Sequence, residues 1–268
     1  MKKILLAAIA LLIGTCASFA STNWDSSAAL SRVNTIGNNI LKANNLPSGI
    51  VFKVSDEDHI NAYANIGKEV YVFKGLLQFV QSDQELAAVL AHEVGHIVNA
   101  HCSKQTILNT AANMASSSQA VSNSKFATAA GIGKNLALLK ISREDEYEAD
   151  LTGAELMIKA GYDPLAMISV LNKICANSID VFSTHPSGIN RLMNIYDYLA
   201  YTQPSAVSGA FNSDSYKNAI VAISSNVEKR NANKNAVKKH EKAMKKLKEK
   251  RAKAQDKKTR TSDPWSTS

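Results

Sequence analysis

Ser82-Asp83-Gln84-Glu85-Leu86-Ala87-Ala88-Val89-Leu90-Ala91-His92-Glu93-Val94-Gly95-His96-Ile97-Val98 is the stretch on which the reading of this sequence turns. Ser82 with Glu85 three residues later is a capping-box start, and the apolar residues that follow cover most sides of a helix. Such a helix is expected at the centre of a fold. His92 and His96 lie four residues apart, about 40° around the helix axis, so both rings can point at one ion. Glu93 lies a further ~100° round from His92, off their line but within reach of a water bound to that ion. Two imidazoles and a carboxylate on so apolar a helix are costly to bury as carbonyl-bonded core residues, whereas one cation satisfies all three.

Around this helix the sequence predicts an α+β, mainly helical domain. Residues 25–45 carry Ala28, Leu30, Val33, Ile36, Ile40 and Leu41 at helical spacing, ended by Pro47-Ser48-Gly49. Ile50, Phe52 and Val54 alternate with Val51, Lys53 and Ser55, and Glu69-Val70-Tyr71-Val72-Phe73 is a second β-rich run, which predicts a small sheet. Residues 109–135, rich in Ala, Ser and Asn, read either as a loosely packed helix with a loop or as a mobile cover over a site. Further helices are expected over about 143–159, stopped by Gly161, then 164–177 and 190–200. The resulting boundaries are a signal segment at 1–20, a catalytic domain at 21–205, a polar linker at 206–227 and a Lys/Ala-rich tail at 228–268.

A catalytic zinc needs a third protein ligand and an open position. Ser142-Arg143-Glu144-Asp145-Glu146-Tyr147-Glu148-Ala149-Asp150 holds the candidates. Ala149, Gly153, Leu156, Met157 and Ala160 mark the buried stripe of this helix; Glu146 and Asp150 extend it, while Glu144, Glu148 and Glu155 share the opposite side. A carboxylate aimed into a core needs a cation or donors, which singles out Glu146 and Asp150. Spacing leaves open which is ligand and which is support. His101, five residues beyond His96, falls off the ligand line and is left out.

Glu85 to Ala91 leading into His92-Glu93-Val94-Gly95-His96, then Ser142 to Asp150, then Thr184-His185-Pro186 followed by Arg191, together resemble the HtpX, Oma and CAAX prenyl protease group of zinc metallopeptidases. The resemblance runs over about residues 28–200 and is nearest the soluble periplasmic members of the LoiP and BepA type. It implies a zincin (gluzincin) fold, with the small sheet packed on the His-Glu-x-x-His helix. It implies one Zn²⁺ held by His92, His96 and Glu146, with Asp150 supporting a histidine and Glu93 moving the proton. It brings His185 to the site as a transition-state donor or as a fourth ligand that keeps the enzyme latent, with Arg191 orienting that loop or an acid. It also implies a substrate-side edge strand built from Asn61-Ala62 and from Glu69 to Phe73, including Val70, Tyr71 and Val72. The transmembrane segments of HtpX and the prenyl proteases and the C-terminal repeats of the BepA type have no counterpart here, so partner docking does not carry over.

Met1-Lys2-Lys3, the ten-residue apolar run Ile4 to Ile13 and Ser18-Phe19-Ala20 predict a secretory signal cleaved after Ala20. Ile13-Gly14-Thr15 before Cys16 departs from a lipoprotein signal. Cleavage leaves Cys102 and Cys175 in an oxidising compartment, where they read either as a disulfide or as two buried free thiols. The net charge of +8 suggests a nucleic-acid or membrane-surface partner. Its distribution argues otherwise: residues 228–260 hold 15 basic and 4 acidic side chains, against 14 and 18 in residues 21–227. Residues 228–260 have no aromatic residue interleaved for base stacking and no apolar face for insertion, so nucleic acid is not expected. The tail reads as a solvated Lys/Ala helix or a disordered tail, or as a contact to anionic envelope surface. The expected activity is hydrolysis of internal peptide bonds in unfolded or misassembled envelope proteins; the alternative is a non-catalytic zinc-fold chaperone.

Overall fold

The computed structural model describes residues 24–47, 49–104, 142–177, 188–209 and 211–262. Its first helix, α1 (Ser26–Ala43), is capped by the Asp25 carboxylate, which accepts from Ser27 and Ala28 N–H, and buries Val33, Ile36, Ile40 and Leu41. Three short strands follow: β1 (Val51–Ser55), β2 (Ala62–Ala64) and β3 (Glu69–Phe73). Their order is β1-β3-β2, with β1 parallel and β2 antiparallel to β3.

This order corrects one expectation. β3 is the central strand, paired on both sides, and its Val70 and Val72 point into the core. Val70, Tyr71 and Val72 therefore have no edge to offer an incoming chain. The edge strand that packs against the central helix is β2, which contains Ala62.

After the short α2 (Lys74–Phe79) comes the central helix α3 (Asp83–Val98), with Leu86, Ala87, Leu90, Ala91 and Val94 fully buried. Ser82 Oγ caps Glu85 N–H at 3.2 Å as the capping box requires, but the Glu85 carboxylate accepts from Gln81 N–H, at 2.8 Å. It also accepts from Ser169 Oγ and Lys173 Nζ, both at 2.9 Å, so the start of α3 is tied to a later helix, α5 (Leu165–Ala176). Between them runs α4 (Arg143–Lys159), capped by Ser142. It packs against α3 at backbone distance: a Cβ at Gly95 would lie 2.8 Å from the Ala149 carbonyl oxygen, and one at Gly153 would lie 3.0 Å from the His92 amide nitrogen.

α6 (Ile189–Thr202) closes the site from the third side, followed by a single turn, α7 (Pro204–Val207). The expected polar linker is instead helical: α8 (Asp214–Asn231) buries Tyr216, Ala219 and Ile223 against α5. Three apolar residues at positions i, i+3 and i+7 are enough to seat it, although its remaining surface is polar.

The tail forms α9 (Lys234–Ser262), which buries Met244 and docks on α6 and α8. Arg251 pins it to α4, with Nη2 2.7 Å and Nε 2.9 Å from the Glu155 carboxylate oxygens, and its guanidinium covers the Tyr198 ring. Among the described residues no helix is long and apolar enough to cross a membrane. The signal segment with Cys16, and residues 109–135, lie outside the described residues.

The α3 and α4 contact sets a test. Gly95→Ala places a methyl group against backbone, which cannot rotate away, so the helices must part. We expect a loss of about 1–3 kcal/mol in denaturant unfolding, with weaker divalent-metal binding in the same protein.

Candidate metal centre

α3 presents His92 and His96 on its α4-facing side, and α4 presents Glu146, one turn before Asp150. All four side chains are buried. The Nε2 atoms of His92 and His96 are 3.0 Å apart. Glu146 Oε2 lies 3.6 Å from His92 Nε2, and Glu146 Oε1 lies 3.4 Å from His96 Nε2. A zinc ion about 2.0–2.1 Å from each of its tetrahedral ligands sets those ligand atoms about 3.3 Å apart. The three edges bracket that value, and two imidazoles with one carboxylate are donors zinc takes. The residues therefore fit the ion.

The surrounding contacts fix each ligand. His92 Nδ1 lies 3.0 Å from Asp150 Oδ1. A carboxylate there requires the proton on Nδ1 and leaves the Nε2 lone pair for a metal. Burial pushes the His92 pKa down, despite the opposing effect of the hydrogen bond it donates to Asp150, and so favours the neutral, ligating ring.

Arg191, from α6, holds both acids. Its Nε and Nη2 grip the two Asp150 oxygens at 2.7 and 2.6 Å, and its Nη1 lies 2.6 Å from Glu146 Oε2. Burial pushes the Asp150 carboxyl up, but the Arg191 charge, with hydrogen bonds from Arg191 and His92, outweighs it and holds the group below the usual range. Arg191 itself is disfavoured by burial, yet Asp150 and Glu146 raise its pKa above the ordinary value.

Glu146 faces both Nε2 atoms, which makes it the candidate third ligand, whereas Asp150 faces the far nitrogen of His92, where a support would stand. Arg191 orients the acids. Glu93 is buried and lines an apolar cavity together with His92, Ala62, Leu76, Val89 and Leu171. Asn61 precedes Ala62 at the start of β2. His185 lies outside the described residues.

Cys102 and Cys175 are free thiols, not a disulfide. Cys102 Sγ donates to the Ala64 carbonyl of β2 at 3.4 Å, and burial pushes the thiol pKa up to about 11. Cys175 sits in the last turn of α5.

One residue was missed by the sequence reading. His101 is buried, with its Nδ1 3.0 Å from His96 Nδ1 and its Nε2 3.4 Å from both Asp145 Oδ1 and Glu148 Oε2.

Two histidines one helical turn apart, a glutamate beside the first and a carboxylate from a second helix define a metallopeptidase-type centre. The family model described as "Peptidase family M48" matches residues 27–198, and the chain belongs to that family. Its relatives include the beta-barrel assembly-enhancing protease of Yersinia pestis, 28% identical over 180 residues, which are 60% of this chain and 37% of that protein. The mitochondrial metalloendopeptidase OMA1 of Schizosaccharomyces pombe is 33% identical over 155 residues, 53% of this chain and 44% of that protein. The metalloprotease LoiP of Escherichia coli K12 is 27% identical over 194 residues, 69% of this chain and 75% of that protein. The chain spans about two fifths of the length of the assembly-enhancing proteases it matches.

Arg191→Gln removes one guanidinium from two buried carboxylates. We expect the metal-free protein to lose about 3–5 kcal/mol, and zinc to restore part of that loss. Thermal melts with and without chelator check both, and equal losses in the two conditions would contradict the arrangement.

Proposed function

We propose that this chain is a zinc-dependent metalloendopeptidase that hydrolyses internal peptide bonds of unfolded or misassembled proteins in the bacterial envelope. The observation that carries the reading is the trio of ligand atoms on His92, His96 and Glu146, spaced as a tetrahedral zinc requires, with Glu93 buried beside them. A zinc ion bound there supplies Lewis acidity to the scissile carbonyl and to the attacking water. Glu93 accepts the proton of that water and returns it to the departing amine. Asp150 and Arg191 hold His92 and Glu146 in position throughout, in keeping with a zincin arrangement.

The substrate enters as an extended chain beside β2. Phe73 N–H bonds to Asn61 O and Asn65 N–H to Glu69 O, both at 3.0 Å, so by the alternation of an antiparallel ladder Ala62 turns its own N–H and C=O away from β3. Ala62 also borders the cavity that holds His92 and Glu93. Backbone pairing at such an edge carries little sequence preference and selects chains that lack structure. Relatives that include a beta-barrel assembly-enhancing protease agree with a role in envelope quality control. The N-terminal sequence from Met1 to Ala20 supports export to the periplasm.

The tail's partner is an anionic envelope surface. Lys238, Lys239, Lys242, Lys245, Lys246 and Lys250 are all exposed and lie on the side of α9 opposite Met244 and Arg251. Lysines held near an anionic bilayer contribute about 1 kcal/mol each at moderate salt.

Two measurements test these readings. Glu93→Gln is expected to retain one zinc per chain while cleavage of unfolded casein falls by a factor of about 10²–10⁴; persistent cleavage rules out the mechanism, and absent cleavage by the zinc-loaded wild type favours a chaperone. For the tail, the full chain is expected to sediment with phosphatidylglycerol vesicles at low salt and to be released as salt rises. Replacing the six lysines with glutamine is expected to abolish sedimentation, and binding that survives the replacement excludes α9 as the contact.

A further inference from the structure

α3 ends in an unusual way. Asn99 N–H returns to the Gly95 carbonyl at 3.1 Å, and Ala100 then takes a left-handed conformation, φ 59°, with its N–H on the Ile97 carbonyl at 3.0 Å. A residue with a Cβ in that region costs on the order of 1 kcal/mol or more, and glycine is the usual occupant of such a helix end. Asn99 Nδ2 secures the reversal on α4 by donating to Thr152 Oγ1 at 2.9 Å. The consequence is positional. In a continuing helix His101 would point about 140° away from His96; after the reversal its ring lies 5.0 Å from the His96 ring, buried to 2% exposure.

We propose that His101 is a positioning residue of the metal centre, which fixes the ring of His96 through paired Nδ1 atoms and is itself anchored by Asp145 and Glu148. This inference rests on the zinc reading above. The proton assignments follow from one requirement. For His96 Nε2 to present a lone pair to zinc, His96 Nδ1 must carry the hydrogen and donate it to His101 Nδ1, 3.0 Å away. His101 Nδ1 is then the acceptor, so its hydrogen is on Nε2, facing Asp145 Oδ1 and Glu148 Oε2 at 3.4 Å each. Asp145 is steadied by Ser142 Oγ, which donates to its Oδ2 at 2.9 Å. His92 has a carboxylate, Asp150, behind it; His96 reaches its carboxylates through one further imidazole. Both ligands are thereby locked in the tautomer a metal needs.

The test uses the full-length protein with zinc affinity, measured by chelator competition, and the visible spectrum of the cobalt-substituted form. His101→Phe keeps the ring shape and removes both nitrogens. It is expected to weaken zinc binding about 10- to 100-fold and to change the cobalt bands. His101→Gln, whose oxygen accepts and whose nitrogen donates in the same order, is expected to restore affinity to within a few-fold of wild type. Should the Phe variant fail to fold, the double change Asp145→Ala and Glu148→Ala, at the solvent end of the chain, is expected to weaken zinc binding several-fold. Wild-type affinity and an unchanged cobalt spectrum in either the Phe or the double variant overturn the proposal. Two zinc ions per wild-type chain, falling to one in the Phe variant, also overturn it, because His101 would then be a ligand of a second ion with Asp145 and Glu148. Unaltered zinc binding in His96→Ala instead refutes the metal-centre reading beneath it.

Discussion

The centre depends on how closely α3 and α4 approach. A glutamate side chain is short, and Glu146 meets both histidines only because the two helices touch at backbone level. Gly95 lies against the Ala149 carbonyl, and Gly153 lies against the His92 amide. One glycine comes from each helix, so the contact is relieved on both sides. Ala149 and Gly153 also flank Asp150 on the inner face of α4, which is why the same approach that delivers Glu146 brings Asp150 against His92 Nδ1. Widening the gap separates ligand and support together.

That approach confines acids in a dry place, and the molecule answers with charge. Arg191 faces Glu146 and Asp150 at once, and one guanidinium against two carboxylates leaves a formal negative charge beside two imidazole nitrogens. A buried network of this composition is stable as a structure and incomplete as an electrostatic unit, and a divalent cation completes it. The arginine arrives from α6, a helix seated by Leu192, Ile195 and Leu199 in the apolar core. Packing far from the metal thus sets the geometry at the metal.

The parts legible in the sequence are those governed by near neighbours along the chain. The helix around His92, its Ser82 cap, the stripe that singled out Glu146 and Asp150, and the ends of α4 at Ser142 and Gly161 all follow from periodicity and capping. Strand order does not. The resemblance makes β3 an edge, but β3 pairs with β1, whose Val51 meets Glu69, on one side and with β2 on the other, and the strand's own residues encode neither contact. Local helical geometry points His101 away from His96. Ala100 reverses that geometry without the glycine that would have announced it. The stretch before the tail read as linker because Tyr216, Ala219 and Ile223 are thinly spread, although their spacing is that of a seated helix.

The charge of the tail is also a matter of long-range pairing. A run of 15 basic residues beside a mildly acidic domain invites the picture of a free cationic arm. The domain's acids are placed to prevent that. Asp197 of α6 takes both Nη atoms of Arg230 at 2.6 and 2.8 Å, and Glu155 of α4 takes Arg251. Arg230, at the end of α8, and Arg251, on α9, with planar groups suited to bidentate pairing, are spent inward, and the exposed lysines face outward. The helix is therefore held by the residue type that pairs geometrically and presents the type that acts as a hydrated point charge. Because Glu155 lies on α4, the element that carries Glu146 and Asp150, the cationic surface is anchored to the helix that builds the metal centre. A surface bound through α9 would hold that centre in a defined orientation, whereas a flexible tail would only tether it.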